Sequence, residues 1–152
     1  MAEPERPKGR VVTFGTYDLF HIGHVNLLER ASQLGDKLIV GLSSDAFNKR
    51  KKQRVPIFTL AERMRIVGTN QYVDEVFVEH NMEDKRKYLL EHQADILVMG
   101  DDWEGKFDEY RDICQVVYLP RTPEISSTKL MKILEDGHHE VSPGGCAPPR
   151  RC

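Results

Sequence analysis

The feature that most constrains this chain is a polar turn between a strand-like run and a helix-like run. The run Arg10–Phe14 is mostly apolar, Val25–Ala31 has a helical pattern, and between them lies Gly-Thr-Tyr-Asp-Leu-Phe-His-Ile-Gly-His. A strand that enters a helix through such a turn brings free backbone N–H groups to the positive end of the helix dipole. With two histidines beside it, the turn indicates a site for the phosphates of a nucleoside triphosphate.

Strand-like and helix-like runs alternate along the rest of the chain. Strands are predicted, from runs rich in Val, Ile and Leu, at Val11–Phe14, Lys37–Leu42, Glu75–Val78, Asp95–Met99 and Gln115–Leu119. Helices are predicted at Gly23–Gln33, Leu60–Thr69, Glu83–His92 and Ser127–Leu134. This alternation predicts an α/β fold, a doubly wound sheet of about five parallel strands with helices on both faces. Ligands of such sheets bind beyond the carboxyl ends of the strands.

The histidines at positions 21 and 24 are the first candidate site residues. Their spacing places both on one face of the first helical turn. A surface histidine and a core histidine are the ordinary interpretation of an isolated pair. A zinc site is disfavoured because no third ligand and no zinc-helix Glu lie nearby. Imidazole N–H groups can instead donate to phosphoryl oxygens, and Gly23 lets a triphosphate approach the backbone.

Two further polar segments have the chemistry of phosphate contacts. The basic run Lys49–Arg54 is either a solvated or localisation-type cluster, or a flexible loop whose lysines neutralise the α- and β-phosphates. In the segment Pro120–Lys129, Ser126 or Ser127 can cap a helix. The same hydroxyls and free N–H groups can hold phosphate oxygens, and Arg121 adds a positive fork.

The acidic segment Gly100–Asp108 carries four carboxylates within eight residues. Its spacing does not match a calcium-binding EF-hand loop. Two interpretations remain open, a metal loop and a polar loop on which Trp103 packs as a lid.

Composition excludes several other classes of function. A net charge of -2 gives no bias toward nucleic acid, and no apolar run has the length of a membrane span. The start of the chain lacks the apolar core of a secretory signal. The three cysteines have no metal-ligand spacing, which favours reduced thiols in the cytoplasm, although Cys146 and Cys152 could pair. We expect a flexible tail over 1–9, a domain over 10–136 and a disordered tail over 137–152.

Taken in order, these segments resemble the cytidylyltransferase branch of the HxGH nucleotidyltransferase superfamily. The resemblance covers about residues 10 to 135, and the Met99–Asp108 segment makes the chain similar to the bacterial glycerol-3-phosphate cytidylyltransferases. It implies a Rossmann-like fold, a homodimer and no membrane insertion. It also implies synthesis of CDP-glycerol and pyrophosphate from CTP and glycerol 3-phosphate, with Mg²⁺ on the triphosphate, for teichoic acid or related polymers.

The resemblance also implies roles for individual residues. His21, His24, Lys51 and Arg121 would be catalytic, and Lys51 and Lys85 would bind the phosphate-bearing substrate. No residue would be a metal ligand. The nucleotide would be contacted by Gly15, Thr16, Tyr17, Asp18, His21, Ile22, Gly23, His24, Lys52, Asp101, Arg121, Thr122, Pro123, Glu124, Ile125, Ser126, Ser127 and Thr128.

The chain departs from the family pattern at two places. Glu124 stands where the family has glycine, and the basic run differs in length, so Lys52, Gln53 or Arg54 could replace the family's second lysine. Two alternatives stay open, an adenylyltransferase of the FAD-synthase or heptose-phosphate type, and a nucleotide-binding regulatory relative with an impaired site.

Overall fold

A five-stranded parallel sheet, in the order β3-β2-β1-β4-β5, forms the centre of the molecule. The computed structural model describes residues 9–123 and 125–137. The strands are β1 Arg10–Gly15, β2 Lys37–Ser43, β3 Glu75–Glu79, β4 Ile96–Gly100 and β5 Gln115–Leu119. The helices are α1 Ile22–Ser32, α2 Asp45–Lys52, α3 Leu60–Gly68, α4 Lys85–Glu91 and α5 Ser127–Asp136. The predicted α/β fold is confirmed, and the strand order is that of a Rossmann-like sheet.

Helices cover both faces of the sheet, and the strands are apolar on both faces for that reason. On one face, Val11 of β1 belongs to a buried cluster with Leu28 of α1 and Val67 of α3. On the other face, Val12 packs in a cluster with Leu89 of α4. Two short 3-10 helices, Asp101–Trp103 and Asp108–Asp112, complete this second layer.

The prediction of a flexible loop for the basic run is wrong, because Lys49–Lys52 lie in α2. The Ser44 side chain caps this helix by accepting from the N–H of Phe47, which is itself buried. Four basic side chains in the last turn lie at the negative end of the helix dipole, where cations are stabilising. The helix ends at Gln53, whose backbone is left-handed with φ 56°.

The strand order reverses between β1 and β4, which creates a crevice at the carboxyl ends of these two strands. The predicted turn Gly15–His24 follows β1, and the acidic segment follows β4. No helix among the described residues is long and apolar enough to cross a membrane. Glu124, Cys146, Cys152 and most of both tails, for which expectations were drawn from the sequence, lie outside the described residues.

Candidate active site

The two histidines together cap the helix, and His24 lies within its first turn while His21 directly precedes it. His21 is the N-cap residue of α1, in extended conformation, and His24 is the third helical residue. The N–H of Gly23 donates to Nδ1 of His21 at 3.0 Å, and the N–H of His21 donates to Nδ1 of His24 at 3.2 Å. This reciprocal arrangement is a capping box made of imidazoles instead of Ser and Glu. It stacks the two rings with centroids 3.8 Å apart.

These hydrogen bonds determine which ring nitrogen carries the proton. A nitrogen that accepts a hydrogen bond is unprotonated, so neutral His21 and His24 both carry hydrogen on Nε2. Burial, with the charges of His21 and Lys52, lowers the pKa of His24 to about 3, and burial also lowers the pKa of His21. Both imidazoles are therefore neutral at pH 7. Within the described residues, Nε2 of His21 is buried without a hydrogen-bond partner.

Close packing of the turn explains its glycines. A Cβ at Gly15 would lie 2.7 Å from the ring of Tyr17, which is buried below it. A Cβ at Gly23 would lie 2.8 Å from the ring of His21 and 3.2 Å from Ile125. Tyr17 itself has a left-handed backbone with φ 55°, and its ring contacts that of His24. The turn thus packs against both imidazoles, through Gly23 beside His21 and Tyr17 beside His24.

Asp18 holds the segment between α2 and α3 rather than offering its carboxylate to the cleft. Its two carboxylate oxygens accept from the N–H groups of Ile57 and Phe58 at 2.7 and 2.9 Å. Only 3% of Asp18 is exposed. The side chain of this predicted nucleotide contact therefore fixes the wall of the cleft.

Arg63 and Asn48 are buried supports that the sequence analysis did not identify. The Arg63 guanidinium donates to the carbonyls of Thr16 and Ser43 at 3.0 and 2.8 Å, and it pairs with Asp45 at 2.6 Å. It thereby ties the ends of β1 and β2 to α3. Asn48 accepts from the Thr16 hydroxyl at 2.8 Å. Nothing in sequence spacing marks such residues, because their partners are mainly backbone carbonyls of distant segments.

The segment after β5 closes the cleft from the other side. Ser126 is the N-cap of α5 and accepts from the N–H of Lys129 at 3.0 Å. The Ser127 hydroxyl donates to the carbonyl of Asp18, and Asn26 of α1 donates to the Thr122 hydroxyl at 3.0 Å. Of the two predicted capping serines, one caps and the other ties this segment to the turn after β1.

A cleft of about 290 Å³ lies between these segments, at the carboxyl ends of β1 and β4. Many of the predicted site residues line it, namely Gly15, Thr16, Tyr17, Asp18, His21, Gly23, His24, Lys52, Arg121, Thr122, Ile125, Ser126, Ser127 and Thr128. Ile22, Lys51, Lys85, Asp101 and Pro123 do not line it. Lining residues that sequence analysis missed include Phe14, Asn48, Pro56, Met99, Asp102 and Met131.

Three cationic side chains face the cleft and give it a positive wall. Lys52, Arg54 and Arg121 line it, whereas Gln53, which ends α2, does not. Burial lowers the pKa of Lys52, and the charge of Arg54 adds to this, while Asp18 and Asp102 oppose it. Of Lys52, Gln53 and Arg54, the three candidates for the family's second lysine, Lys52 and Arg54 are therefore placed to reach an anion bound in the cleft.

The remaining two predicted lysines do not line the cleft. Lys85 is 1% exposed, pairs with Glu79 at 2.7 Å and lies 3.7 Å above the ring centroid of Phe14. Lys51 donates to the Ser43 hydroxyl at 3.2 Å. Burial lowers the pKa of Lys51 to about 8, and the charge of Glu79 opposes that shift.

The acidic segment Gly100–Asp108 contributes to the cleft through three of its residues, Gly100, Asp102 and Trp103. Asp102 and Trp103 line it, and Trp103 packs on Phe107 with ring centroids 5.4 Å apart. Among residues 9–123 and 125–137, no group of three or more His, Cys, Asp or Glu side chains could hold a metal ion.

Comparison with known proteins gives consistent matches over most of the chain. The sequence model of the family described as Cytidylyltransferase-like matches residues 12–133. Glycerol-3-phosphate cytidylyltransferase of Bacillus subtilis is 52% identical over 121 residues, which cover 80% of this chain and 93% of that protein. The same-named protein of Bacillus spizizenii is 50% identical over 123 residues, which cover 81% and 95%. The crystal structure of a lipopolysaccharide core biosynthesis protein from Thermoplasma volcanium is 27% identical, with a TM-score of 0.64, and the match covers 74% of this chain and 97% of that one.

Proposed function

Since the chain belongs to the cytidylyltransferase-like family, we propose that it transfers the cytidylyl group of CTP to glycerol 3-phosphate. The products are CDP-glycerol and pyrophosphate. An oxygen of the acceptor phosphate attacks the α-phosphorus of CTP in line, and the bond to the β-phosphate oxygen breaks. The acceptor is already an anion and pyrophosphate is a good leaving group, so positioning and charge stabilisation supply the catalysis.

The observation that carries this proposal is the pair of neutral imidazoles at the N-terminus of α1. Their Nδ1 atoms accept from backbone N–H groups, so both Nε2 atoms carry hydrogen, and both histidines line the cleft. Because both imidazoles are neutral and already carry hydrogen on Nε2, His21 and His24 can donate to the charge that develops during transfer without a change of protonation.

Cations around the cleft complete the proposed charge stabilisation. Lys52, Arg54 and Arg121 line the cleft where the triphosphate binds, and Lys51 and Lys85 bind the acceptor phosphate. Mg²⁺ accompanies the triphosphate and is held by its oxygens. A homodimer, a cytoplasmic location and a role in teichoic acid or related polymer synthesis belong to the same proposal.

The test is a grid of nucleotides and acceptors assayed by pyrophosphate release. Purified protein receives CTP, ATP, UTP or GTP with glycerol 3-phosphate, ribitol 5-phosphate or phosphocholine. Rapid release is expected for CTP with glycerol 3-phosphate. Release with ATP but not with CTP contradicts the base assignment and supports an adenylyltransferase. Absence of release with every pair supports a regulatory nucleotide-binding protein.

A further inference from the structure

A lysine cluster, which we define as Ser43, Lys51, Glu79 and Lys85, lies at the ends of β2 and β3, with Ser43, Glu79 and Lys85 buried and Lys51 exposed. Each residue comes from a different element, namely β2, α2, β3 and α4. Ser43 and Glu79 are paired in register on neighbouring strands. The side chains of Glu79 and Lys85 are 2% and 1% exposed.

The cluster holds two ammonium groups against one carboxylate. Oε2 of Glu79 lies 2.7 Å from Nζ of Lys85, and its charge also acts on Lys51. The other charges that act on Lys51 are those of Lys52, Lys85 and Arg63, and all three disfavour its protonation. Tyr110, on the 3-10 helix before β5, is the further titratable group influenced by Glu79. Glu79 is thus the one carboxylate among these groups that stabilises the charged lysines.

Burial of Lys85 disfavours its charged form. Desolvation disfavours the ammonium form, and buried lysines can titrate several units below their usual range. Burial indeed lowers the pKa of both Lys51 and Lys85, and in both cases Glu79 opposes the shift. Only a protonated lysine attracts an anion, so the carboxylate determines the pH range in which the cluster can bind phosphate.

We propose that Glu79 is a positioning residue that keeps Lys51 and Lys85 protonated and so sets the upper pH limit for binding the acceptor phosphate. This inference rests on the proposed function for the role of the two lysines. Glu79 does not contact the acceptor. It acts through Lys85, to which it is bonded, and through its field at Lys51.

The experiment compares the wild-type protein with Glu79→Gln, which keeps the shape of the side chain and removes its charge. The measured quantity is the pH dependence of kcat/KM for glycerol 3-phosphate, which reports the titration of the free enzyme. Removal of a carboxylate at this distance lowers a lysine pKa by about one unit or more. In Glu79→Gln, the alkaline limb of the profile of kcat/KM against pH is expected to move to lower pH by about one unit. At pH values above the alkaline limbs of both proteins, kcat/KM of the variant is then about tenfold lower than that of the wild type.

Glu75→Gln is the matched control, because Glu75 lies on the same strand but is 48% exposed and pairs with Arg10. Its alkaline limb is expected to coincide with that of the wild type. A Glu79→Gln protein whose limb also coincides overturns the proposal. If Glu79→Gln does not fold, Glu79→Asp withdraws the carboxylate by one methylene. Its limb is then expected to move in the same direction by a smaller amount, and an unmoved limb overturns the proposal.

A second measurement separates this inference from the proposed function. Lysines labelled with ¹³C at the ε carbon are titrated by NMR in the wild type and in Glu79→Gln, and Lys51→Arg and Lys85→Arg assign the two resonances. Both resonances are expected to titrate at lower pH in Glu79→Gln, whatever reaction the protein catalyses. Unchanged titration overturns the inference. Failure of CTP and glycerol 3-phosphate to react overturns only the proposed function.

Discussion

At the scale of single residues, His21 combines two roles that reside on its two ring nitrogens. Nδ1 caps α1, and Nε2, which is buried without a hydrogen-bond partner among the described residues, is the donor proposed for phosphate. His21→Asn retains an acceptor for the cap and removes the Nε2 donor, whereas His21→Ala removes both. We expect both variants to lose about a hundredfold or more in turnover. Only His21→Ala is expected to lose about 1 kcal/mol of unfolding free energy, measured by urea denaturation.

Thr59→Ala is the control for the cap, since Thr59 caps α3 in an ordinary capping box with Glu62 and does not line the cleft. It should lose a similar unfolding free energy and retain wild-type turnover. Wild-type turnover in His21→Asn would contradict the assignment of Nε2 as a phosphate donor.

The residues of the site differ in how far the sequence reveals them. The histidines and the serines near α5 were predictable because they stand at helix starts, where the spacing itself has a physical meaning. The supports Arg63 and Asn48 were not, since a buried guanidinium that binds carbonyls of Thr16 and Ser43 leaves no local pattern. Whether a lysine such as Lys85 faces a cleft or a carboxylate also depends on strands far away in sequence.

At the scale of elements, helix α2 carries a removable strain at its end. Gln53 ends it with φ 56°, a conformation that costs an L-residue roughly 1 kcal/mol and costs glycine almost nothing. Gln53→Gly is therefore expected to raise the unfolding free energy by about 0.5–1 kcal/mol, as measured by urea denaturation. The control is Gln33→Gly, because Gln33 ends α1 in a right-handed conformation, with φ -75°. It should lower the unfolding free energy, and an equal effect of both changes would contradict the explanation.

The elements also show where the pattern of apolar residues predicts secondary structure correctly. Each predicted strand agrees with the structure to within one residue at either end, because strands buried on both faces are continuous apolar runs. Helix α2 was missed because its last turn is entirely basic and only Phe47 and Asn48 are buried. The N-cap signature of Ser44 followed by Asp45 was the available signal for it.

At the scale of the whole molecule, the neutral, partly buried imidazole of His24 couples the stability of the fold to pH. The pKa of His24 is about 3 in the folded protein, against about 6.5 when it is free, so between these values the unfolded chain binds a proton that the native state does not. Stability is therefore complete above about pH 6.5 and is lost on acidification toward pH 3, by up to about 1.4 kcal/mol per pH unit from this group.

His24→Gln tests this coupling, since glutamine at the third helical position can still accept from the backbone N–H of the cap. Unfolding free energies measured between pH 7 and pH 4 should decline less steeply in the variant, by about 1.4 kcal/mol per pH unit. Parallel curves for the two proteins would show that His24 is not buried in its neutral form.

The bonds that close the cleft also determine when it can form during synthesis. Ser127 bonds to Asp18 across 109 positions, Thr122 to Asn26 across 96, and Pro120 to Arg30 across 90. A growing chain folds from its N-terminus, and contacts between such distant positions form slowly. The hydrogen bonds between the two histidines and their own backbone span at most three residues. The closed site, in contrast, cannot form until the segment around Ser127 has been synthesised and has packed against the turn after β1.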